Sequence, residues 1–463
     1  MREVVDGSRS GRRWLTRGVL PALTGGITAV AVVAALGGPA GWRAAGGAAA
    51  GQAVPAAAAP ARDTPGVSVQ VTGVASAAYQ RALQTAQQTK PTVTLVATGG
   101  TISGVAQGRE TFTNYRSGSI NGEDLIAHLQ PELSRIADVN VVQFGNAGSS
   151  GYSIEQFRQL TLTVEEALET SDGVVVTSGT DTQEEFAYWL DLTVRSQKPV
   201  VTTGAMRPWA APDGQLVFGA DGPANLFNAI ALAASQATYC YGTVLMLNDE
   251  IHAARDVTKT SSYRADTFQT REYGVLGWID GTQINLGRAT PRVQLCDRPE
   301  QWRTPFDLST IEESDLARAE VVYSYQDAGG EAISAYAAAG VGGIVTAGTG
   351  AGGISPDQRA ARTAAAAEGV VFVTTTRTGS GSVYGGSGNI IAGGDLLPQK
   401  ARLLLLLGLT FAPGDVDQIR TWFDTIGKPG FAVVRPGTPP GLGGTPPGLG
   451  GTPPGQVKQG GKA

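Results

Sequence analysis

The stretch ATGGTIS, residues 97–103, directly follows the apolar and β-branched run VTLV at residues 93–96. Such a run is typical of a buried strand, and the two glycines mark the turn that ends it. The stretch DGVVVTSGTDT, residues 172–182, repeats the pattern, because three valines lead into a glycine turn with hydroxyl side chains. Strands that end on turns of this kind, with helices between them, indicate a parallel α/β sheet.

Strand and helix patterns alternate along the middle of the chain, which predicts parallel sheets covered by helices on both faces. We expect an α/β fold with a larger N-terminal parallel-sheet domain and a smaller C-terminal α/β domain, both flavodoxin- or Rossmann-like. The predicted strands are 92–97, 139–144, 173–177, 199–203 and 243–247 in the first domain, and 320–325, 343–346 and 370–374 in the second. The predicted helices are 121–129, 154–169, 183–195 and 221–234, then 332–339, 356–368 and 398–409.

Both ends of the chain differ in composition from the middle. Arg12 and Arg13 precede an uncharged stretch and then an Ala/Gly/Pro-rich run with small residues suited to signal cleavage. The far end repeats GTPPGLG and has almost nothing to bury, which predicts a disordered tail. We therefore divide the chain into an export signal and leader (1–61), an N-terminal extension with a short helix (62–90), an N-terminal domain (91–289) that carries the candidate site residues named below, a linker (290–317), a C-terminal domain (318–430) and a tail (431–463).

The leader predicts an exported protein that is secreted, cell-wall-associated or periplasmic. An uncleaved membrane anchor is the alternative, and after cleavage no stable membrane span is expected. The export route stays open, because the paired arginines only loosely resemble a twin-arginine signal. The formal charge of −5 and the absence of a basic cluster in the body of the chain argue against nucleic acid as a partner.

Cysteine and histidine are scarce, which excludes several kinds of site. Cys240 and Cys296 are far apart in sequence and have no CxxC spacing, so neither a metal site nor dithiol chemistry is expected, and no cofactor is predicted. The two cysteines form either one disulfide or two buried free thiols. His128 and His252 have no partners at catalytic spacing, and no G-x-S-x-G motif is present, so we expect no histidine-dependent hydrolase.

Polar residues follow several predicted strands, where ligands of parallel sheets bind. A threonine hydroxyl needs a neighbouring base or positive charge to become a nucleophile. Thr101 is the candidate nucleophile, and we expect the glycines before it to let substrate approach. The other candidates are Tyr115 in TNYRSG, Ser149 and Ser150 in NAGSSG, Thr180 and Asp181 in SGTDT, and Lys259 in ARDVTKT.

From about residue 91 to 426 the chain resembles the bacterial-type L-asparaginase family of exported, type II-like enzymes. The motifs that carry the resemblance are TLVATGGTISG, DGVVVTSGTDTQEEFAYWLDLTV, KPVVTTGAMRP, ADGPANLFNAI, LNDEIHAARDVTKT and LPQKARLLLLLGLT. The resemblance implies hydrolysis of L-asparagine to L-aspartate and ammonia through a threonine acyl-enzyme, with L-glutamine as a weaker substrate. It also implies a homotetramer built from two tight dimers.

The same resemblance implies a role for each candidate residue. Thr101 matches the nucleophile, Tyr115 its activating tyrosine, and Thr180 and Lys259 the second threonine with its lysine. Asp181 matches the carboxylate that holds the substrate α-ammonium group. Ser149 and Ser150 match the loop that binds the α-carboxylate, and the backbone N–H groups near Thr180 and Ala205 match oxyanion donors.

Two departures from the family pattern leave alternatives open. Ser178 stands where the family usually has histidine, and the second domain offers Gly and Ser, without a carboxylate, near residues 351–353 and 378–387. An exported, catalytically weak binding module of the same fold is therefore one alternative, and an amidase on a larger amide is another. The preference for asparagine over glutamine does not follow from the sequence.

Overall fold

The computed structural model describes residues 67–71, 74 and 76–431 and contains one large mixed sheet and one small parallel sheet. The predicted leader lies outside the described residues, as does the predicted tail apart from Phe431. Within the described part of the chain, no helix is long and apolar enough to cross a membrane.

The large sheet and its two small ribbons are built from the first thirteen strands. They are β1 (Ser68–Val71), β2 (Thr92–Gly99), β3 (Val105–Ala106), β4 (Tyr115–Arg116), β5 (Asp138–Ala147), β6 (Gly173–Thr177), β7 (Val200–Thr203), β8 (Thr243–Leu247), β9 (Glu250–Ala253), β10 (Thr258–Lys259), β11 (Phe268–Gln269), β12 (Gly277–Asp280) and β13 (Gln283–Leu286). The helices in this part are α1 (Ala77–Gln88), α2 (Gly122–Ala127), α3 (Ile154–Thr170), α4 (Gln183–Thr193), α5 (Gly222–Ala234) and α6 (Pro299–Trp302).

Nine strands form the large sheet in the order β1-β13-β12-β9-β8-β7-β6-β2-β5. The five strands from β8 to β5 are parallel. The pairs β8–β9, β9–β12 and β12–β13 are antiparallel, and β1 adds a parallel edge strand beside β13. The predicted α/β class is confirmed, and the antiparallel part is an addition that the strand pattern did not predict.

The parallel strands are buried on both faces, which explains their continuous valine runs. All five residues of β6 are buried. Helix α5 packs with one face of the sheet in a hydrophobic cluster that includes Leu95, Val175 and Ile230. Helices α3 and α4 pack on the other face with Val174, Val176 and Trp189. The sheet therefore forms the middle layer of three.

The small sheet carries the second domain. It contains the parallel strands β14 (Ala319–Tyr323), β15 (Gly343–Gly348), β16 (Val371–Thr376) and β17 (Ile390–Ala392), with helices α7 (Glu331–Ala338), α8 (Pro356–Ala367), α9 (Pro398–Phe411) and α10 (Val416–Thr425). Leucines 403–407 of α9 are each at most 1% exposed, as expected for a helix that is apolar on all sides. They share one hydrophobic cluster with α3 and α4, so the two domains have a continuous core.

The N-terminal extension is part of the folded structure. Strand β1 pairs with β13, with Ser68 opposite Gln283, and this strand was not predicted. Helix α1 places Tyr79 in the core, where its hydroxyl donates a hydrogen bond to the Ala237 carbonyl over 2.7 Å.

The two cysteines form a disulfide, which decides between the alternatives that the sequence left open. The Cys240–Cys296 bond joins Cα atoms that are 5.6 Å apart, and both residues are buried. A crosslink between residues separated by 56 positions stabilises a fold by about 4 kcal/mol in the chain-entropy account. It ties the loop after α5 to the segment that leads into α6.

Arg255 joins the two domains through a buried ion pair. Its Nη2 donates to Asp395 Oδ1 over 2.5 Å and its Nε donates to the Gly427 carbonyl over 2.9 Å, while the Tyr273 hydroxyl donates to Asp395 Oδ2 over 2.6 Å. Burial acts to raise the pKa of Asp395, but the hydrogen bond and charge of Arg255 outweigh it and lower that pKa.

We expect Asp395→Ala to lower the free energy of unfolding by about 3 kcal/mol, because it leaves the Arg255 guanidinium buried without one of its partners. Urea unfolding at neutral pH measures this loss. The matched control is Asp417→Ala, which removes a carboxylate that is 98% exposed and 3.9 Å from Arg420. The control should change stability by less than about 0.5 kcal/mol. Equal effects of the two substitutions would contradict the role given to Asp395.

Two buried tyrosines lead us to expect that the free energy of unfolding falls at alkaline pH. Burial raises the pKa of Tyr241 to about 12 and also raises the pKa of the neighbouring Tyr79. The unfolded chain then releases protons from these hydroxyls at lower pH than the folded chain does. Their contribution is complete below about pH 10 and falls between pH 10 and 12, by about 1.4 kcal/mol per pH unit for each tyrosine.

Unfolding free energies measured between pH 9 and 12 test this expectation. Tyr241→Phe should give a shallower decline than the parent, because phenylalanine has no proton to release. An unchanged slope in Tyr241→Phe would show that Tyr241 does not contribute to it.

Candidate active site

The candidate site lies where the parallel strands end. A cavity of about 510 Å³ opens beside the loops that follow β2 and β6, as expected for ligand sites of parallel sheets. Five of the residues predicted from the sequence line it, namely Thr101, Tyr115, Thr180, Asp181 and Lys259. The other lining residues are Phe112, Thr113, Glu184, Met206 and residues 260–263.

Thr101 follows β2 on a single 3₁₀ turn, Thr101–Ser103, and is 7% exposed. Gly100 before it has φ +83°, and a Cβ there would lie 2.3 Å from the backbone nitrogen of Gly179. The expectation that the glycines leave room for substrate is therefore wrong for Gly100, whose free face is occupied by protein backbone. This glycine allows the turns after β2 and β6 to meet, which brings Thr101 and Thr180 into one cavity.

Tyr115 supplies the hydroxyl nearest to Thr101. The two side-chain oxygens are 2.7 Å apart, within hydrogen-bonding distance. Tyr115 begins the two-residue strand β4, which pairs with β3 directly after the Thr101 turn, with Ala106 opposite Tyr115. This short ribbon folds the chain back so that a residue fourteen positions away reaches the threonine.

A second hydroxyl is bound to a lysine. Lys259 Nζ donates to Thr180 Oγ1 over 2.9 Å and to Asp181 Oδ1 over 2.7 Å. Thr180 is 4% exposed, whereas the Asp181 side chain is 77% exposed. The lysine therefore orients the buried threonine, while the carboxylate beside it stays open to a cationic ligand. An ammonium group this close favours the deprotonated form of a neighbouring hydroxyl.

The remaining predicted residues lie beside this cavity and are not among its lining side chains. Ser149 is buried on the 3₁₀ turn Ser149–Gly151, and its Oγ accepts a hydrogen bond from the Thr182 N–H over 3.1 Å. Ser150 is exposed on the same turn. Ala205 follows β7 and is fully buried. The structure thus places Ser149 against the loop of Thr180, and the predicted roles of these three residues remain predictions.

Both histidines lie away from the cavity. His128 follows α2 at the surface, and its Nδ1 is 2.6 Å from the Asp124 carbonyl oxygen. His252 is buried on β9, with Nδ1 3.1 Å from Thr270 Oγ1. Neither lines the cavity, so any proton transfer at the described lining residues falls to hydroxyl, amine and carboxyl groups.

Two contributors were missed in the sequence. Glu184, in the first turn of α4, is 7% exposed, and its Oε2 accepts a hydrogen bond from the Lys259 N–H over 2.8 Å. Gln399 of α9 donates from Nε2 to Glu184 Oε1 over 2.5 Å. The helix dipole stabilises acidic residues in the first turn of any helix, so the position of Glu184 gave no specific indication of a role in the site. No local signal marks Gln399, because its partner is 215 residues away.

Comparison with known proteins assigns the family. The model "Asparaginase, N-terminal" matches residues 92–292, and the model "Glutaminase/Asparaginase C-terminal domain" matches residues 318–423. "L-asparaginase 2" of Bacillus subtilis (strain 168) is 36% identical over 369 residues, which cover 78% of this chain and 92% of the relative. The chain belongs to the L-asparaginase family. The family expected from the sequence motifs is therefore confirmed.

Other asparaginases agree in sequence and in fold. "Probable L-asparaginase periplasmic" of Haemophilus influenzae is 36% identical over 330 residues, which cover 69% of this chain and 89% of the relative. The crystal structure of a probable cytoplasmic L-asparaginase from Campylobacter jejuni superposes with a TM-score of 0.66 at 35% identity. The superposition covers 72% of this chain and 99% of that one. The two-domain architecture is therefore that of an asparaginase.

Proposed function

We propose that this protein is an amidohydrolase that converts L-asparagine to L-aspartate and ammonia through an acyl-enzyme on Thr101. The observation that carries the proposal is the pairing of two threonines, one with Tyr115 and one with Lys259, in a single cavity of an asparaginase fold. L-Glutamine hydrolysis is the proposed weaker activity, in line with the description of the second family model.

Acylation requires the Thr101 hydroxyl to attack the side-chain amide carbon of asparagine. Its proton passes to the Tyr115 oxygen while Tyr115 releases its own hydroxyl proton towards the substrate nitrogen, the C–O bond forms, and the carbonyl oxygen becomes an oxyanion. Backbone N–H groups near Thr180 and Ala205 are the proposed oxyanion donors. The oxyanion collapses, the C–N bond breaks, and the nitrogen leaves as ammonia after it takes up a proton.

In deacylation a water molecule is the attacking group and the Thr101 oxygen is the leaving group. Water attacks the ester carbon, a proton of the water passes through the Thr180 hydroxyl to the departing Thr101 oxygen, and the C–O bond to Thr101 breaks to give aspartate and the free hydroxyl. Thr180, held by Lys259, is the proposed proton carrier for this half of the reaction. Asp181 is the proposed ligand of the substrate α-ammonium group, because its carboxylate is the exposed end of the Lys259 pair. Ser149 and Ser150 are proposed to bind the α-carboxylate.

The proposal also covers the compartment and the oligomeric state of the protein. We propose export, supported by the composition of the leader and by the Cys240–Cys296 disulfide, since disulfides persist in oxidising compartments. One relative is described as periplasmic and one solved structure as cytoplasmic, so the family does not decide the compartment. A homotetramer rests on the family resemblance alone.

Ammonia release from L-asparagine and L-glutamine, measured side by side at neutral pH, tests the proposal. The protein used is residues 62–463, the proposed mature chain. Asparagine turnover that exceeds glutamine turnover is the expected result. A folded protein that releases ammonia from neither substrate would contradict the proposal and favour the binding-module or larger-amide alternatives.

A further inference from the structure

The N-terminal end of α9 contacts the segment that carries Lys259, although the two lie in different domains. Lys400 is fully buried in the first turn of α9. Its Nζ donates to the carbonyl oxygens of Ala254, Arg255 and Val257, over 2.7, 2.9 and 2.5 Å. One ammonium group, with three donors, therefore binds three carbonyls of the short segment between β9 and β10.

A second chain of contacts reaches Lys259 itself. Gln399, the residue before Lys400, donates to Glu184 Oε1, and Glu184 Oε2 accepts from the Lys259 backbone N–H. The carboxylate thus joins the second domain to the strand that carries the site lysine. Glu184 also lines the cavity, so this joint lies at the wall of the site.

The segment that carries Lys259 is held in different ways on its two sides. On the C-terminal side, the two-residue pairing of β10 with β11 continues into a hairpin, because the Thr260 N–H donates to the Thr267 carbonyl over 2.7 Å and the Ser261 N–H donates to Thr267 Oγ1 over 2.9 Å. On the N-terminal side, residues 254–257 lie in no strand, and the second domain holds them through Lys400 and holds the Lys259 N–H through Gln399 and Glu184. A shift of this ribbon would move Lys259 Nζ away from both Thr180 and Asp181.

We propose that Gln399 and Lys400 are positioning residues of the reaction, which fix Lys259, and through it Thr180, from the second domain. The inference rests on the proposed function. It gives a role to the one buried lysine of this leucine-rich helix. Burial lowers the pKa of Lys400 to about 8, against the attraction of Glu184 and Asp256, so this ammonium group is held at a cost in stability.

The test compares Gln399→Leu and Lys400→Met with the parent by kcat and KM for L-asparagine. A misplacement of about 1 Å can lower a rate about 100-fold, so we expect kcat to fall about 100-fold for Lys400→Met and about tenfold for Gln399→Leu, with KM within about twofold. Gln399→Leu provides the decisive comparison if Lys400→Met does not fold, because it leaves the three carbonyl contacts in place.

A matched control separates positioning from general destabilisation. Lys198 Nζ also donates to two backbone carbonyls, those of Leu168 and Ser171, at a place that does not line the cavity. Lys198→Met should lower the unfolding temperature and leave kcat unchanged. The double variant Lys259→Met/Gln399→Leu should be no slower than Lys259→Met alone, because Gln399 acts through Lys259.

These measurements distinguish failure of the positioning role from failure of the proposed function. Either of two results would overturn the positioning role while the parent remains an asparaginase. One is a folded Gln399→Leu protein with the parental kcat. The other is a double variant in which Gln399→Leu lowers the kcat of Lys259→Met by the same factor by which it lowers the parental kcat. A parent that releases no ammonia in the same assay would overturn the proposed function and, with it, the positioning role.

Discussion

Thr101→Val is expected to reduce ammonia release from L-asparagine by about 10⁴-fold or more, the usual scale for loss of a covalent nucleophile. Valine has nearly the shape of threonine but no hydroxyl, so the acyl-enzyme cannot form on this side chain. Thr101 is only 7% exposed and lies on a tight turn, and valine fits the same space. We therefore expect the unfolding midpoint of the variant to stay close to that of the parent.

Thr94→Val is the control for this substitution. Thr94 lies on β2, the strand that precedes Thr101, is 4% exposed, and its hydroxyl is 2.6 Å from that of Ser171, away from the cavity. Its replacement should cost about 1 kcal/mol of stability and leave turnover unchanged. Parental ammonia release from a folded Thr101→Val protein would remove Thr101 from the mechanism.

Lys259→Met carries the second large effect, a fall in kcat of about 10³-fold. Methionine keeps the length of the side chain but removes the ammonium group that binds Thr180 and Asp181. Thr180 then loses its orienting donor and the positive charge beside it. Steady-state kinetics with L-asparagine measure the loss.

Lys259→Arg and Lys428→Met complete the comparison. Arginine keeps the charge but not the compact geometry of the ammonium group, so it should recover only part of the rate. Lys428 is exposed, and its Nζ lies 5.4 Å from the Tyr384 ring centre, so Lys428→Met should leave kcat unchanged. If Lys259→Met kept more than about a tenth of the parental kcat, Lys259 would not have the role proposed here.

The sequence predicted the parallel core well because its signals are local. The run that forms β6 has three consecutive valines with glycine turns nearby, and the predicted bounds agree with Gly173–Thr177. The hairpin of β12 and β13 was missed, although Asp280 and Gly281 are a recognised hairpin signal and Gly281 has φ +61°. Strand β1 was missed because its stability depends on β13, about 215 residues away, and four residues carry too little pattern to be assigned alone.

The site shows the same division between local and distant signals. Thr101, Thr180 and Asp181 directly follow strands, so the position of ligand sites in parallel sheets predicts their neighbourhood. Glu184 and Gln399 contribute through hydrogen bonds between domains, and no spacing in the sequence encodes that contact. The state of the cysteines likewise became clear only when the fold placed their Cα atoms 5.6 Å apart.

The central claim is a covalent intermediate on Thr101, and partitioning with hydroxylamine tests it most directly. Hydroxylamine competes with water for an acyl-enzyme, so the ratio of aspartate β-hydroxamate to aspartate reports on the intermediate and not on the leaving group. We predict the same ratio from L-asparagine and from L-aspartate β-methyl ester, and formation of neither product by Thr101→Val. Ratios that differ between the two substrates, or hydroxamate formation at the parental rate by folded Thr101→Val, would contradict an acyl-enzyme on Thr101.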